Sequence, residues 1–95
     1  MKRFKFVMNQ AISEDFMSMC KSRGIAKAYT RIDNVSGVGL QGPCMGDDVW
    51  PQWNTMFIIV DDDSTEESYR AVVDSIRKEF PNDGLFCNFS NCELF

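Results

Sequence analysis

Residues 3–8, RFKFVM, alternate Phe4, Phe6 and Met8 with Arg3 and Lys5. This period of two predicts a strand with one covered face. In AISEDFMSMCKSRG the residues Ile12, Phe16, Met19 and Cys20 recur at helical spacing, and Gly24 follows as a stop. Ser13 reads as the N-cap, with Glu14 and Asp15 in the first turn, where carboxylates favour the helix dipole. Residues 25–35, IAKAYTRIDNV, alternate again and are rich in β-formers, which predicts a second strand. NTMFIIV (54–60) is a continuous apolar run that suits a central strand. Asp61–Asp63 close it, and Ser64 with Glu67 forms an S-x-x-E capping box. Tyr69, Val72, Val73, Ile76 and Phe80 then make one helical stripe that Pro81 ends. Asn82-Asp83-Gly84 is turn chemistry, and LFCNF (85–89) is the last strand.

The order β-α-β-β-α-β predicts an α+β, ferredoxin-like domain over residues 1–95: a four-stranded antiparallel sheet with two helices on one face. One stretch does not fit a plain hairpin, which needs only about two to five residues between its strands. Residues 37–53, GVGLQGPCMGDDVWPQW, hold four glycines, two prolines and two tryptophans. Loops beyond about fifteen residues tend to be functional or disordered. This one is too aromatic for a solvated linker. Trp50 and Trp53 are expected to fold back onto the domain or a subunit interface, given the area each ring buries.

Charge and composition narrow the chemistry. The net charge is −4, the ten Lys and Arg are scattered, and none lies after Lys78. That argues against nucleic acid, whose phosphates need clustered cations. No run reaches the roughly 18 apolar residues of a membrane span. The basic N-terminus has an apolar run broken by Lys5, too short for a secretory signal. A cytoplasmic location and reduced thiols at Cys20, Cys44, Cys87 and Cys92 are therefore expected. With no His in the chain, histidine acid–base or triad chemistry is excluded. Cys44-Met45 offers soft ligands suited to Cu(I), but two adjacent residues do not make a site. The acidic run Asp61–Asp63 with Glu66 and Glu67 reads as a solvated helix N-terminus rather than a cation site.

An extended loop between strands two and three of such a core resembles the PII signal-transduction family, and more closely its small PII-like branch. The resemblance rests on Thr30, on G37-V-G39-L-Q41-G42 at the loop base, on VDDD (60–63) and on Asp83-Gly84. It covers the whole chain in element order. It implies a non-enzymatic homotrimeric regulator in nitrogen signalling, with an adenine nucleotide (ADP, AMP or ATP) or a small anion in clefts between subunits. Thr30, Gly37, Gly39, Gln41, Gly42, Asp83 and Gly84 are then the ligand-binding residues, with Gln41 placed to help hold Mg²⁺, and loop 37–53 meets a protein partner. The glycines also suit this role physically, since they admit positive φ and let backbone N–H groups cradle an anion.

Two departures qualify the ligand. The family spacing at the loop base, GxGxQxG, is one residue longer than here. Leu85 stands where a lysine would meet nucleotide phosphates, and no later cation exists. Two or three charge-assisted bonds of roughly 1.5–3 kcal/mol each are hard to replace, so ligands with fewer phosphates are expected. The loop also lacks the tyrosine on which family members are uridylylated. Other readings of the same core are a metal-handling trimer resembling the CutA proteins, through Cys44 and Met45, and an ACT-like amino-acid-binding module. An acylphosphatase-like hydrolase is disfavoured, because the stretch NQAISED after strand one has neither Gly nor Arg.

Overall fold

A computed structural model describes residues 1–40 and 42–95. Its elements run β1 (Lys2–Asn9), α1 (Ser13–Ser22), β2 (Thr30–Val35), β3 (Gly37–Gly39), β4 (Gly42–Cys44), β5 (Asn54–Asp61), α2 (Glu66–Glu79) and β6 (Leu85–Asn91). Four strands form one antiparallel sheet in the order β2-β5-β1-β6, and β3 with β4 forms a separate hairpin. This is the expected β-α-β-β-α-β core with an insertion between its second and third sheet strands.

Phe4, Phe6 and Met8 of β1 oppose Ile59, Phe57 and Thr55 of β5, and all six are buried. The Phe6 ring lies 4.7 Å from Phe16 of α1 and 5.8 Å from Tyr69 of α2, so both helices cover this one face. Each fully buried side chain of this size contributes about 1.5–3 kcal/mol. Of the α2 stripe, Tyr69, Val72, Val73 and Ile76 are buried, and Phe80 packs partly at the helix end. Tyr69 donates its O–H to Asp61 at 2.7 Å and accepts the Ala26 N–H at 3.1 Å. Burial, together with the Asp61 carboxylate, raises its phenol far above the usual range. Burial likewise pushes the Cys20 thiol up to about 12, which makes it inert at neutral pH.

The second strand is shorter than its alternation suggested. Residues 25–29 are not in the sheet; Ile25 and Ala26 are core residues, and Ala26 takes a left-handed φ of 56°. That conformation cannot continue a strand, and the Tyr69 hydroxyl holds it in place. β2 also carries an irregularity between Ile32 and Val35, where Asn34 has φ 58°.

Neither expected cap forms. A 3₁₀ turn precedes each helix, so Ser13 is the first residue of α1 and donates its hydroxyl to the Gln10 carbonyl at 2.7 Å. Asn9 caps that turn through the Ala11 N–H. Before α2, Asp62 accepts the Ser64 N–H at 2.9 Å, and the Ser64–Glu67 box is absent. Asp is as good an N-cap as Ser, and Asp62 is met first along the chain.

Candidate functional site

Loop 37–53 leaves β2 at Val35 and returns at Asn54, which pair across the sheet. The stretch is not irregular throughout. Gly37 opposes Cys44 and Gly39 opposes Gly42 in the β3–β4 hairpin. Gly42 has φ 114° and needs glycine, whereas Gly37 and Gly39 lie in extended backbone. At Gly37 the requirement is space, because a Cβ would come 3.3 Å from Asn54 Nδ2. Val38 in the middle of β3 and Leu40 just after it are exposed. Gln41 lies outside the described residues.

The second half of the loop folds back. Asp47 Oδ1 accepts the N–H groups of Val49 and Trp50 at 3.0 and 2.6 Å, and Gly46 N–H donates to the Gln52 carbonyl at 3.0 Å. Gly46 has φ 67°, and its Cα faces the Trp53 ring so closely that a Cβ would fall inside it. Trp53 is half-buried and its carbonyl accepts the Gln10 N–H at 2.9 Å, while Trp50 is 48% exposed. Trp53 therefore pins the loop, and Trp50 does not.

Two adjacent residues, the last of β1 and the one after it, complete the anchor. Asn9 donates to the Gln52 side chain at 2.6 Å, and Gln10 Oε1 accepts the Asn34 N–H at 2.9 Å. Sequence reading missed this clamp. The only trace was a polar Asn-Gln pair directly after an alternating strand. These contacts use the stretch that an acylphosphatase-like site would need for anion binding.

The residues expected to bind ligand are not gathered into one pocket of a single chain. Gly37, Gly39 and Gly42 share the hairpin. Asp83 and Gly84 form the turn before β6, at the same end of the sheet as Asn54 but beyond β1. Two strand spacings separate β5 from β6, about 10 Å. Thr30 is exposed at the far end of β2, opposite Ile58. A cavity of about 510 Å³ lies elsewhere, lined by Met17, Lys21, Ile25, Lys27 and Tyr29. A groove of about 410 Å³ between α2 and β6 is lined by Phe4, Tyr69, Arg70, Arg77, Cys87 and Phe89.

Two of the cations near these residues are committed. Arg31 donates to Glu14 at 2.6 Å, Asp33 at 2.9 Å and Ser13 at 3.0 Å, and its guanidinium lies over Phe57. Arg77 donates to the Leu85 carbonyl at 3.1 Å, so this cation holds the backbone just after the turn. Of the acidic run, Asp61 serves Tyr69, Asp62 caps, and Asp63 pairs with Lys2 at 3.9 Å. Cys44 is half-buried on β4 and Met45 is exposed. Among the described residues no group of three His, Cys, Asp or Glu side chains is placed to hold a metal ion. No helix among them is long and apolar enough to cross a membrane.

Three carboxyls are held below their usual range: Asp33 by Arg31 and Thr55, Asp62 by the Ser64 N–H, and Glu66 by Arg70. A lowered folded pKa adds stability above the unfolded value, and that stability is lost as pH falls through the folded value. The reference values are 3.8 for the aspartates and 4.5 for Glu66. Melting temperature should therefore drop progressively below about pH 4.5, and Asp33→Asn should flatten part of that drop. Thermal melts across this range check both.

No family model matches the chain, and no curated protein matches it in sequence. Solved structures do match. CPII from Thiomonas intermedia K12, a nitrogen regulatory PII-like protein bound to ADP, AMP and bicarbonate, superposes with a TM-score of 0.66 at 20% identity, covering 94% of this chain and 84% of that one. CPII bound to ADP, AMP and acetate gives 0.65 at 18% identity over 98% and 88%. A protein from Thermus thermophilus described as PII-like and signalling gives 0.58 at 18% over 94% and 82%. A sheet of order β2-β5-β1-β6, two helices on one face and a long loop after β2 thus give this chain the fold of the PII-like proteins over nearly its whole length.

Proposed function

We propose that the chain is a cytoplasmic PII-like regulator rather than an enzyme. It forms a homotrimer and takes an adenine nucleotide or small anion in clefts between subunits. The single observation that carries this reading is the likeness to CPII, a protein bound to ADP, AMP and bicarbonate, over 94% of this chain. The scatter of Thr30, the hairpin glycines and the Asp83-Gly84 turn across one subunit agrees with it, because such residues meet only when copies lie side by side. Loop 37–53, with Val38, Leu40, Val49 and Trp50 exposed, reports occupancy to a protein partner.

The sheet supplies the trimer surface. Its face opposite the helices carries an apolar row across all four strands: Ile32, Met56, Val7 and Phe86. Phe86 is 62% exposed and Ile32 44%, and Ile58 and Val60 extend the patch. Exposed apolar area of this kind marks an interface.

Calorimetry with AMP, ADP and ATP tests the ligand. AMP and ADP should bind at least as well as ATP, because Leu85 replaces a lysine and Arg77 is tied to backbone. Tighter binding of ATP would overturn the ligand reading. Sedimentation tests the assembly: the wild type should be a trimer at micromolar concentration, and Ile58→Asp should be a folded monomer.

A further inference from the structure

The open sheet face has a charge pattern that the apolar row does not account for. Strand register puts Lys5 between Ile58 and Asn88, and Arg3 between Val60 and Ser90. Both lie on the central strand β1, about 7 Å apart at two residues' rise. Lys5 is therefore near the middle of the face. The other positions that register places there are Val7, Asn9, Thr30, Ile32, Val35, Asn54, Met56, Ile58, Val60, Phe86, Asn88 and Ser90, and none is a carboxylate. Neither Lys5 nor Arg3 makes an ion pair among the described residues, whereas Lys2, Arg31 and Arg70 all do. In a chain of net charge −4, a bare cation at the middle of this face and a second toward its end stand out.

We infer that three copies of this face enclose an oxyanion site on the symmetry axis, built from Arg3 and Lys5 of each copy. The inference rests on the trimeric reading above, and no single chain completes the site. In such a trimer three copies contribute six positive charges, and the register positions of the same faces supply no carboxylate to neutralise them. Desolvating unpaired charges is strongly unfavourable, so the assembly needs a counter-ion of high charge density. Lys and Arg side chains only donate hydrogen bonds. The matching ligand is an acceptor-only tetrahedral dianion, which takes charge-assisted bonds on all sides. Sulfate meets this description in full, and doubly ionised phosphate meets it at three of its four oxygens, the fourth being a hydroxyl. The site uses none of the loop-base glycines or the Asp83-Gly84 turn, and Thr30, on the edge strand β2, lies two strand spacings, about 10 Å, from Lys5.

The test is sedimentation equilibrium of the full chain in sodium sulfate, sodium phosphate and sodium chloride at matched ionic strength, which equalises general screening. At 100 times its Kd, a ligand that binds only the trimer lowers the trimer dissociation constant about 100-fold. Sulfate and phosphate should do this, and chloride should not. Lys5→Gln and Arg3→Gln should each remain trimeric and lose the sulfate response. Lys78→Gln, on the exposed side of α2, should keep it. A wild-type trimer indifferent to sulfate and phosphate overturns the axial site and leaves the trimer standing, as does a Lys5→Gln trimer that still responds. A wild-type monomer in all three salts overturns the assembly and the site together.

Discussion

Val73→Asp is expected to leave the domain unfolded at room temperature. Val73 is 7% exposed on the stripe of α2 that packs toward the sheet. The substitution loses about 1.5–3 kcal/mol of apolar burial. It also buries a carboxylate with no partner, at several kcal/mol more. For a chain of this length total stability is roughly 5–14 kcal/mol at the usual per-residue values, so the two effects consume much or all of it. Ser75→Asp, on the exposed side of the same helix, should change stability by less than about 0.5 kcal/mol. Circular dichroism melts distinguish the two variants. A Val73→Asp protein with unaltered melting temperature would show that the stripe does not carry the core.

The second large effect is expected at Gly46. Its φ of 67° costs any other residue roughly 1–2 kcal/mol. A Cβ there also collides with the Trp53 ring, which must leave its seat. Gly46→Ala should thus destabilise the domain by about 2–4 kcal/mol, adding lost ring packing to backbone strain. Trp50→Ala should cost under about 1 kcal/mol, because that ring is already half in water. Fluorescence gives an independent readout. In the wild type acrylamide should quench Trp50 readily and Trp53 poorly, and in Gly46→Ala it should quench both. Equal quenching of both rings in the wild type would mean that the loop is not pinned.

Alternation in RFKFVM and the 3.6-residue spacing of Tyr69, Val72, Val73 and Ile76 are local signals, and burial follows them directly. Residues 25–29 alternate as well, yet Ile25 and Ala26 are drawn into the core and the strand begins only at Thr30. The competing force is a long-range bond from the Ala26 N–H to the Tyr69 hydroxyl, 43 residues away. The two helix caps depart from expectation for a different reason. Asn9 and Asp62 stand one short turn ahead of the serines that fit the motif, and each nucleates a 3₁₀ turn first.

The candidate site was less legible. The loop's composition marked it as structured, but its two tryptophans are equivalent in sequence. Which of them anchors depends on Gly46, seven residues before Trp53 in the chain and in contact with it in space. The commitment of Arg31 to Glu14, Asp33 and Ser13 was equally hidden, because Glu14 and Ser13 lie on a separate element.

By itself the sequence determined the element order, the helix-facing side of the sheet and the absence of histidine chemistry, since these depend on residue type and local period. Only the tertiary structure decided that Trp53 rather than Trp50 holds the loop and that Asn9 and Gln10 clamp its base. It alone decided which residues of β2, β5 and β6 join Arg3 and Lys5 on the open face, none of them a carboxylate. Each of these is a meeting of residues far apart in the chain. Local propensity cannot specify such a meeting; strand register and close packing do.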